Sequence, residues 1–307
     1  MSKVKNKPKI EALQNVDITF TDVSYVYAPK TPYEYVSLQD INVVIKPGKI
    51  TAIIGSTGSG KSTLIQHING LLIPTTGVVD ANGFIITAKQ KRIKNIKQLR
   101  KSIGLVFQFP EYQLFEETIE KDIMFGPVHL GESKEVAREN AKKYITMVGL
   151  PLNYLERSPF DLSGGQKRRV AIAGILAMEG NTLILDEPTA GLDPEGEEDF
   201  IKLFSQINKE QNKRIILVTH NMDHVLEIAD EVIALKEGCV LKVGTPFEIF
   251  KDKDLLQTIL IEPPKIYNLI YKLQEKGFDL NLTNVNIRNI DQLAKEIIHH
   301  KKQKRKE

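Results

Sequence analysis

Ile50-Thr-Ala-Ile-Ile-Gly55-Ser-Thr-Gly-Ser-Gly60-Lys61-Ser62-Thr63 is the stretch on which the reading of this chain turns. Ile50–Ile54 reads as a short strand covered on both faces, as in a parallel sheet. Gly55–Ser62 then fits G-x-x-x-x-G-K-[ST] in full, and a helix is predicted from Lys61 to about Leu71. The glycines let backbone N–H groups turn inward around phosphate oxygens, and the helix N-terminus adds a favourable dipole. Gly55, Ser56, Thr57, Gly58, Ser59, Gly60 and Thr63 are therefore the expected cradle. Lys61 is placed to reach terminal phosphates, and the Ser62 hydroxyl to hold Mg2+. A plain glycine turn capping a helix is the bland alternative. A dinucleotide-type loop has no use for the Lys-Ser pair.

On the N-terminal side, residues 16–27 alternate apolar and polar, as a half-buried strand does. Ile41, Val43 and Ile45 repeat the pattern until Pro47-Gly48 ends it. On the C-terminal side, Asn82-Gly83 reads as a hairpin turn and Ile103–Phe107 as another buried strand. Residues 111–160 change character and read as a helical insertion. Leu183–Asp186, Arg214–Thr219 and Glu231–Leu235 follow as strands, with helices near Glu195–Asn208 and Asn221–Ala229 between them. Strands alternating with helices mean an α/β protein with a parallel sheet. A Lys236–Gly238 turn and Pro246 lead out of it. Beyond Pro263-Pro264, Ile266, Leu269, Ile270 and Leu273 form a helical stripe that stops at Gly277, and a second helix is expected near Asp291–His300. The expected organisation is a basic extension over 1–15, a nucleotide-binding domain over 16–250, a C-terminal appendage over 251–300 and a basic tail over 301–307. No internal repeat is evident.

Two further motifs carry chemistry. Leu183–Leu185 delivers Asp186 and Glu187 to the carboxyl end of a strand, where parallel sheets bind ligands. One carboxylate suits the metal, and the next suits polarising the attacking water. Leu162-Ser163-Gly164-Gly165-Gln166 opens a helix with a hydroxyl and free backbone donors suited to an anion. Alone it reads as a serine cap with flexible glycines. Together with a phosphate loop about a hundred residues earlier, it makes the chain resemble the ATPase subunits of ABC transporters over roughly residues 16–250.

That resemblance implies a P-loop NTPase core with an antiparallel β subdomain and ATP and Mg2+ as cofactors. It implies two ATPase subunits closing head to tail over two ATP molecules. Ser163, Gly164, Gly165 and Gln166 would then grip the nucleotide of the opposite subunit. It also implies roles for Gln108 as the Q-loop glutamine sensing metal and γ-phosphate, for Asp193 in the D-loop, and for His220 as the switch histidine. Tyr27 would stack on adenine, with Tyr25 as a competitor. Glu187 would be the base, and Ser62, Gln108 and Asp186 the metal-side groups. The ordinary alternatives are a loop amide at 108, a helix cap at 193, a structural histidine at 220 and a core aromatic at 27.

The stretch Phe107-Gln-Phe-Pro-Glu-Tyr-Gln-Leu-Phe-Glu-Glu-Thr-Ile-Glu-Lys-Asp-Ile-Met-Phe-Gly126-Pro127 looks like the energy-coupling factor (ECF) branch of that family, which takes up cobalt and vitamins. Leu162–Pro194 is similar to the second of that branch's paired ATPases, and the tail from Pro263 is similar to its C-terminal dimerisation region. The resemblance implies a heterodimer, with a homodimer as the alternative, on the cytoplasmic face of the membrane under a scaffold protein and a substrate-capturing membrane protein. Arginine-bearing scaffold helices would dock near the Q-loop, with Glu111, Glu116 and Glu117 as acidic counterparts or, equally, as solvated loop acids. A conventional binding-protein-dependent importer would share the core motifs, and a soluble ABC ATPase acting on nucleic acid or ribosomes is a third possibility. Copurified membrane partners separate the first, and nucleic-acid-stimulated hydrolysis the second.

Composition agrees with this frame. With 307 residues and 41% apolar content the chain can bury a large core. No apolar run nears the roughly 20 residues that span a bilayer. Cys239 is the one cysteine, so an internal disulfide and a cysteine zinc site are excluded, and a reducing cytoplasm is expected. Met1–Ile10 is lysine-rich with no apolar segment behind it and does not read as a secretory signal. The formal charge of +3 comes from the two lysine-rich ends, and the body over 10–300 is net acidic. A nucleic-acid groove would put basic charge on the folded body, so no nucleic-acid partner is expected. The basic stretch Lys89–Lys101 reads as a solvated face.

Overall fold

The computed structural model describes residues 16–276 and 286–303, so the basic N-terminal extension, residues 277–285 and the side chains from 299 onward lie outside the described residues. Two sheets form the body. The first is antiparallel, in the order β2(Tyr35–Ile45), β1(Ile18–Tyr27), β4(Thr76–Ala81), β5(Phe84–Thr87). The second runs β10(Cys239–Gly244), β9(Glu231–Lys236), β3(Ile50–Ile54), β8(Arg214–Val218), β7(Thr182–Asp186), β6(Ile103–Val106). All its pairs are parallel except β9 with β10.

Burial follows from this layering. Every residue of β3, β6 and β8 is buried. Ile53, Ile184, Ile216 and Ile233 face the antiparallel sheet and join Phe20, Val23, Leu38 and Ile45 in one core. The opposite face of the same strands carries Leu183, Leu185, Ile215 and Leu217 into a helical core with Ile123, Tyr144, Phe200 and Phe204. Single-residue alternation thus sends neighbouring side chains to two different cores.

The Asn82-Gly83 hairpin forms as read, joining β4 to β5, with both residues at positive φ as a tight primed turn requires. The helix after the phosphate loop, α1(Lys61–Ile68), is shorter than the sequence suggests. Gly70 turns the chain at φ 67°, and the Leu71 N–H donates back to Gln66 O. The strand β10, beyond the Lys236–Gly238 turn, is not evident from the sequence. As an edge strand it is half-exposed throughout, so no buried stripe marks it.

No strand lies between Val106 and Thr182 among the described residues. α2(Ile96–Ser102) precedes β6, and the segment after it holds α3(Ile119–His129), α4(Lys134–Met147) and α5(Gly164–Leu176), with short 3-10 turns at Pro110–Gln113, Leu152–Tyr154 and Pro159–Asp161. α5 begins with a capping box, in which Gln166 N–H donates to Ser163 Oγ and Ser163 N–H to Gln166 Oε1. α6(Pro194–Gln211) follows β7 and α7(Met222–Ile228) follows β8. α8(Pro246–Phe250), α9(Lys253–Ile259) and α10(Lys265–Glu275) then pack on the β9 side, where Phe250, Leu256, Ile259 and Tyr267 share a cluster with Val225, Val232 and Ala234. α11(Ile290–Gln303) contributes Leu293 to a small satellite cluster with Ile270 and Ile287. Gly277 falls outside the described residues.

Candidate functional site

Because β3, β8, β7 and β6 are parallel neighbours, their carboxyl ends lie along one edge of the sheet. Ile53 pairs with Val218, and Val218 with Asp186, so the segments that follow these residues start at one level. The phosphate loop leaves β3, Thr219-His220 leaves β8, Asp186-Glu187 ends β7, and Gln108 follows β6. β8 lies between β3 and β7, which puts His220 between the loop and Glu187.

The loop is held by close backbone packing. Gly55 and Gly60 take φ of 153° and 99°. A Cβ on Gly55 would sit 2.4 Å from Leu235 O, and one on Gly60 2.7 Å from Ser37 O. Lys61 is buried and its ammonium donates to Gly55 O at 2.7 Å and Ser56 O at 2.9 Å. Burial lowers its pKa, and the charges of Glu187 and Asp186 oppose that.

The Ser62 hydroxyl is near enough to the Asp186 carboxylate to lower its pKa, so a hydroxyl and a carboxylate sit side by side. Burial raises the Asp186 pKa against the pull of Ser62, Lys61 and His220. No cluster of three or more His, Cys, Asp or Glu suited to a metal occurs among the described residues. Two oxygen donors beside a phosphate cradle fit Mg2+, which binds through one or two protein oxygens plus phosphates and water.

Glu187 stands at φ 50°, an unusual conformation for a non-glycine residue. Burial pushes its pKa up to about 7, helped by the nearby Asp186 charge. The His220 backbone N–H donates to Oε2 at 3.3 Å. His220 Nε2 lies 3.1 Å from Oε1, yet Oε1 has no aligned hydrogen-bond donor, so this second contact is ionic and conditional on protonation. Partial desolvation and the Lys61 cation lower the His220 pKa, and the Asp186 charge opposes them. The pair is thus a carboxyl poised near neutrality beside an imidazole.

A cavity of about 630 Å3 collects Gly55, Ser56, Glu187, Thr189, Thr219 and His220. Leu260–Lys265 border it from the C-terminal side. The serine-glycine motif is not there. Gly164 lines a separate cleft of about 350 Å3 with Glu111, Tyr112, Leu114, Phe160 and Lys167. Ser163 and Gly164 are exposed, and a Cβ on Gly164 or Gly165 would meet nothing within 4 Å. One chain therefore presents two separate anion-type surfaces.

The remaining positions divide. Tyr25 packs edge-on against His67, burial raises its pKa, and Tyr27 lies T-shaped on it, 4.8 Å between centroids. The Tyr27 hydroxyl is 3.3 Å from Thr63 Oγ1. Of the two, Tyr27 lies on the loop side. The Thr63 hydroxyl is turned toward Ser37 at 2.8 Å, so only its backbone can face a phosphate. Asp193 caps α6, accepting from the Gly196 N–H at 2.9 Å. Gln108 is exposed at the end of β6.

Glu111 is a correction. Read as a docking acid or a solvated one, it is instead paired bidentately with Arg168, at 2.7 and 3.0 Å. Glu117 pairs on the surface with Lys121. Tyr35 and Gly238 were not singled out by the sequence. Tyr35 lies opposite Tyr27 in the β1–β2 register and donates its hydroxyl to Gly58 O at 3.2 Å. The Gly238 N–H donates to Ser59 O, so the β9–β10 turn buttresses the loop. Only strand pairing reveals either contact.

Residues 38–190 match the family model described as ABC transporter. The chain is 91% identical, over the whole of both sequences, to the energy-coupling factor transporter ATP-binding protein EcfA2 of Spiroplasma kunkelii. It is 59% identical to the protein of that name from Mycoplasma capricolum, over 92% of this chain and 96% of that one. Among solved structures it is similar to cbiO1 of Clostridium perfringens, described as part of the ABC transporter complex cbiONQ. That match has TM-score 0.69 and 38% identity, over 83% of this chain and 98% of that one. It is also similar to the ATP-binding cassette MJ0796, described as a dimer in a post-hydrolysis state bound to ADP and Pi. Here the TM-score is 0.66 and identity 29%, over 75% of this chain and 98% of that one.

Proposed function

The chain belongs to the ATP-binding subunits of energy-coupling factor transporters within the ABC family, and on that premise we propose how its residues divide the work. It is the ATP-binding and hydrolysing subunit of an ECF-type importer, which powers uptake of a vitamin or transition-metal ion through membrane partner subunits. The observation that carries the proposed site is the meeting of Lys61, Ser62–Asp186 and Glu187–His220 at one sheet edge, with Ser163–Gln166 facing open solvent elsewhere.

In this proposal Gly55–Thr63 bind the phosphates, Lys61 neutralises the terminal ones, and Tyr27 lies against adenine. Ser62 and Asp186, with Gln108, would hold Mg2+, whose chemistry when bound is charge neutralisation at the transferred phosphoryl group. Glu187 takes a proton from the attacking water. His220 orients that carboxylate and donates toward the γ-phosphate. Ser163, Gly164, Gly165 and Gln166, and Asp193, complete the site of a second ATPase subunit. Hydrolysis removes the γ-phosphate contacts that hold the two subunits closed, and the dimer loosens. The dimeric cassette with ADP and Pi supports this arrangement by likeness.

Among the described residues no helix is long and apolar enough to cross a membrane. We place the chain peripherally on the cytoplasmic face, under a scaffold protein and a substrate-capturing membrane protein. The docking surface is the outer face of the turn that follows Gln108, where Tyr112 and Phe115 are 84% and 56% exposed. Large exposed aromatics of this kind anchor partner helices. Purified in detergent, the chain is expected to bring down a second ATP-binding subunit and integral membrane proteins, identified by mass. Tyr112→Ala with Phe115→Ala is expected to reduce the membrane proteins recovered by roughly tenfold. A chain that purifies without membrane partners, or whose ATPase is stimulated by RNA or DNA instead, would overturn the assignment.

Tyr27→Ala is expected to raise the KM for ATP by roughly tenfold, the size of a lost base–aromatic stack, with a smaller change in kcat. Tyr25→Ala, whose ring lies against His67, is expected to leave KM alone. The reverse pattern would move the adenine contact to Tyr25.

A further inference from the structure

Arg168 is two residues beyond Gln166 on the first turns of α5, and its side chain is 3% exposed. Its guanidinium uses four N–H bonds in one plane. Nε and Nη2 donate to the two oxygens of Glu111, at 3.0 and 2.7 Å. Nη1 donates to Pro188 O at 3.1 Å and to Ala190 O at 2.8 Å. The Phe109 ring lies 5.8 Å away, and Phe109 itself is at φ 57°. Phe109 also approaches Gly191 across the same junction.

These contacts join three segments through one side chain. Glu111 is three residues past Gln108. Pro188 immediately follows Glu187. Arg168 opens the helix whose cap is Ser163. A surface ion pair would be worth little, but this pair is withdrawn from water, and its geometry leaves one acceptor arrangement per donor. A planar five-donor fork can satisfy a carboxylate and two carbonyls together, whereas an ammonium cannot hold that plane.

We infer that Arg168 is a positioning residue for ATP hydrolysis, locking the Gln108–Glu111 turn to the Pro188–Ala190 loop and to the signature helix. The inference rests on the hydrolytic site proposed above. Through Glu111 the lock senses the turn that carries the docking surface. Through Pro188 it sets the backbone that carries Glu187. Movement of a docked membrane helix against the turn thereby reaches the base and the partner-facing serine through one side chain. The P-loop, which makes the phosphate contacts, is untouched, so nucleotide affinity is expected to change far less than turnover.

The test uses the full chain assembled with the subunits that copurify with it. Arg168→Lys keeps the charge but loses the fork. Arg168→Met with Glu111→Leu removes both charges, a replacement that buried ion pairs commonly tolerate without loss of stability. Each is compared with the parent for thermal midpoint, fluorescent-ATP affinity without turnover, kcat and KM. The expected result is kcat lowered roughly 10- to 100-fold, the cost of a small misplacement at a reacting site, with ATP affinity and KM within about threefold. Rescue of kcat by Arg168→Lys would reduce Arg168 to a charge and overturn the inference. So would parent-like kcat in the double variant, or a loss of kcat matched by lost ATP affinity and a lower thermal midpoint. A parent assembly that does not hydrolyse ATP would instead overturn the functional reading itself.

Discussion

Glu187→Gln is expected to bind Mg-ATP as the parent does and to turn it over about two to four orders of magnitude more slowly, the usual worth of a general base. The amide keeps the size of the carboxyl and can still accept from the His220 N–H, which now reaches Oε2 at 3.3 Å. What it loses is the ability to take a proton. With binding retained and hydrolysis blocked, the variant is expected to accumulate the closed, ATP-bound dimer, measurable by size-exclusion chromatography with ATP. Normal steady-state hydrolysis by the variant would reject Glu187 as the base.

The pKa of Glu187 makes the same substitution readable in two further ways. With the carboxyl pushed up to about 7, the parent rate should climb as pH rises through that value and level off once the group is ionised. For stability the sign runs the other way from an ordinary ion-paired carboxylate. The folded chain holds this proton between the unfolded value of 4.5 and about 7, where the unfolded chain has released it. The group's contribution is therefore fully present below 4.5 and lost as pH rises through 7. Glu187→Gln carries no such slope. Above pH 7 it should be more stable than the parent without nucleotide, by up to about 3 kcal/mol. Thermal melts across pH 5–9 check this, and parallel curves for the two proteins would refute it.

The parts of this molecule that were legible in its sequence are those fixed locally. The phosphate loop declared itself because its glycine spacing and Lys-Ser pair serve one geometry, and β3 because five buried residues in a row leave little else. The Asp186-Glu187 pair was legible as the end of a buried strand. Long-range partners were not. Glu111 looks like any loop acid until α5 brings Arg168 against it, 57 positions away. Nor does alternation distinguish Tyr25 from Tyr27, since both fall on one face of β1. The choice comes from His67 packing on the first and Thr63 meeting the second. α1 stops early for a similar reason. Leu71 and Leu72 continue an apolar pattern, but Gly70 has already turned the backbone.

The signature segment gives the sharpest separation of folding from function. Gly165→Asp should leave the fold intact and abolish activity. A Cβ at this position meets nothing within 4 Å, so the side chain has room. Gly165 also lies in the first turn of α5, where exchanging glycine for another residue favours the helix and a carboxylate favours the dipole. The thermal midpoint of the isolated chain should therefore hold or rise slightly. The P-loop lies on another element, so the chain's own ATP affinity should also hold. The same carboxylate, however, faces the γ-phosphate of the opposite subunit once two subunits meet. Juxtaposed like charges at a closing surface cost several kcal/mol, and each 1.4 kcal/mol of barrier is about tenfold in rate. Turnover of the assembled transporter should fall by at least about a hundredfold, and ATP should no longer drive closure. If Gly165→Asp hydrolysed ATP at the parent rate in the full assembly, this segment would be an ordinary helix cap, and the site would belong to one chain alone.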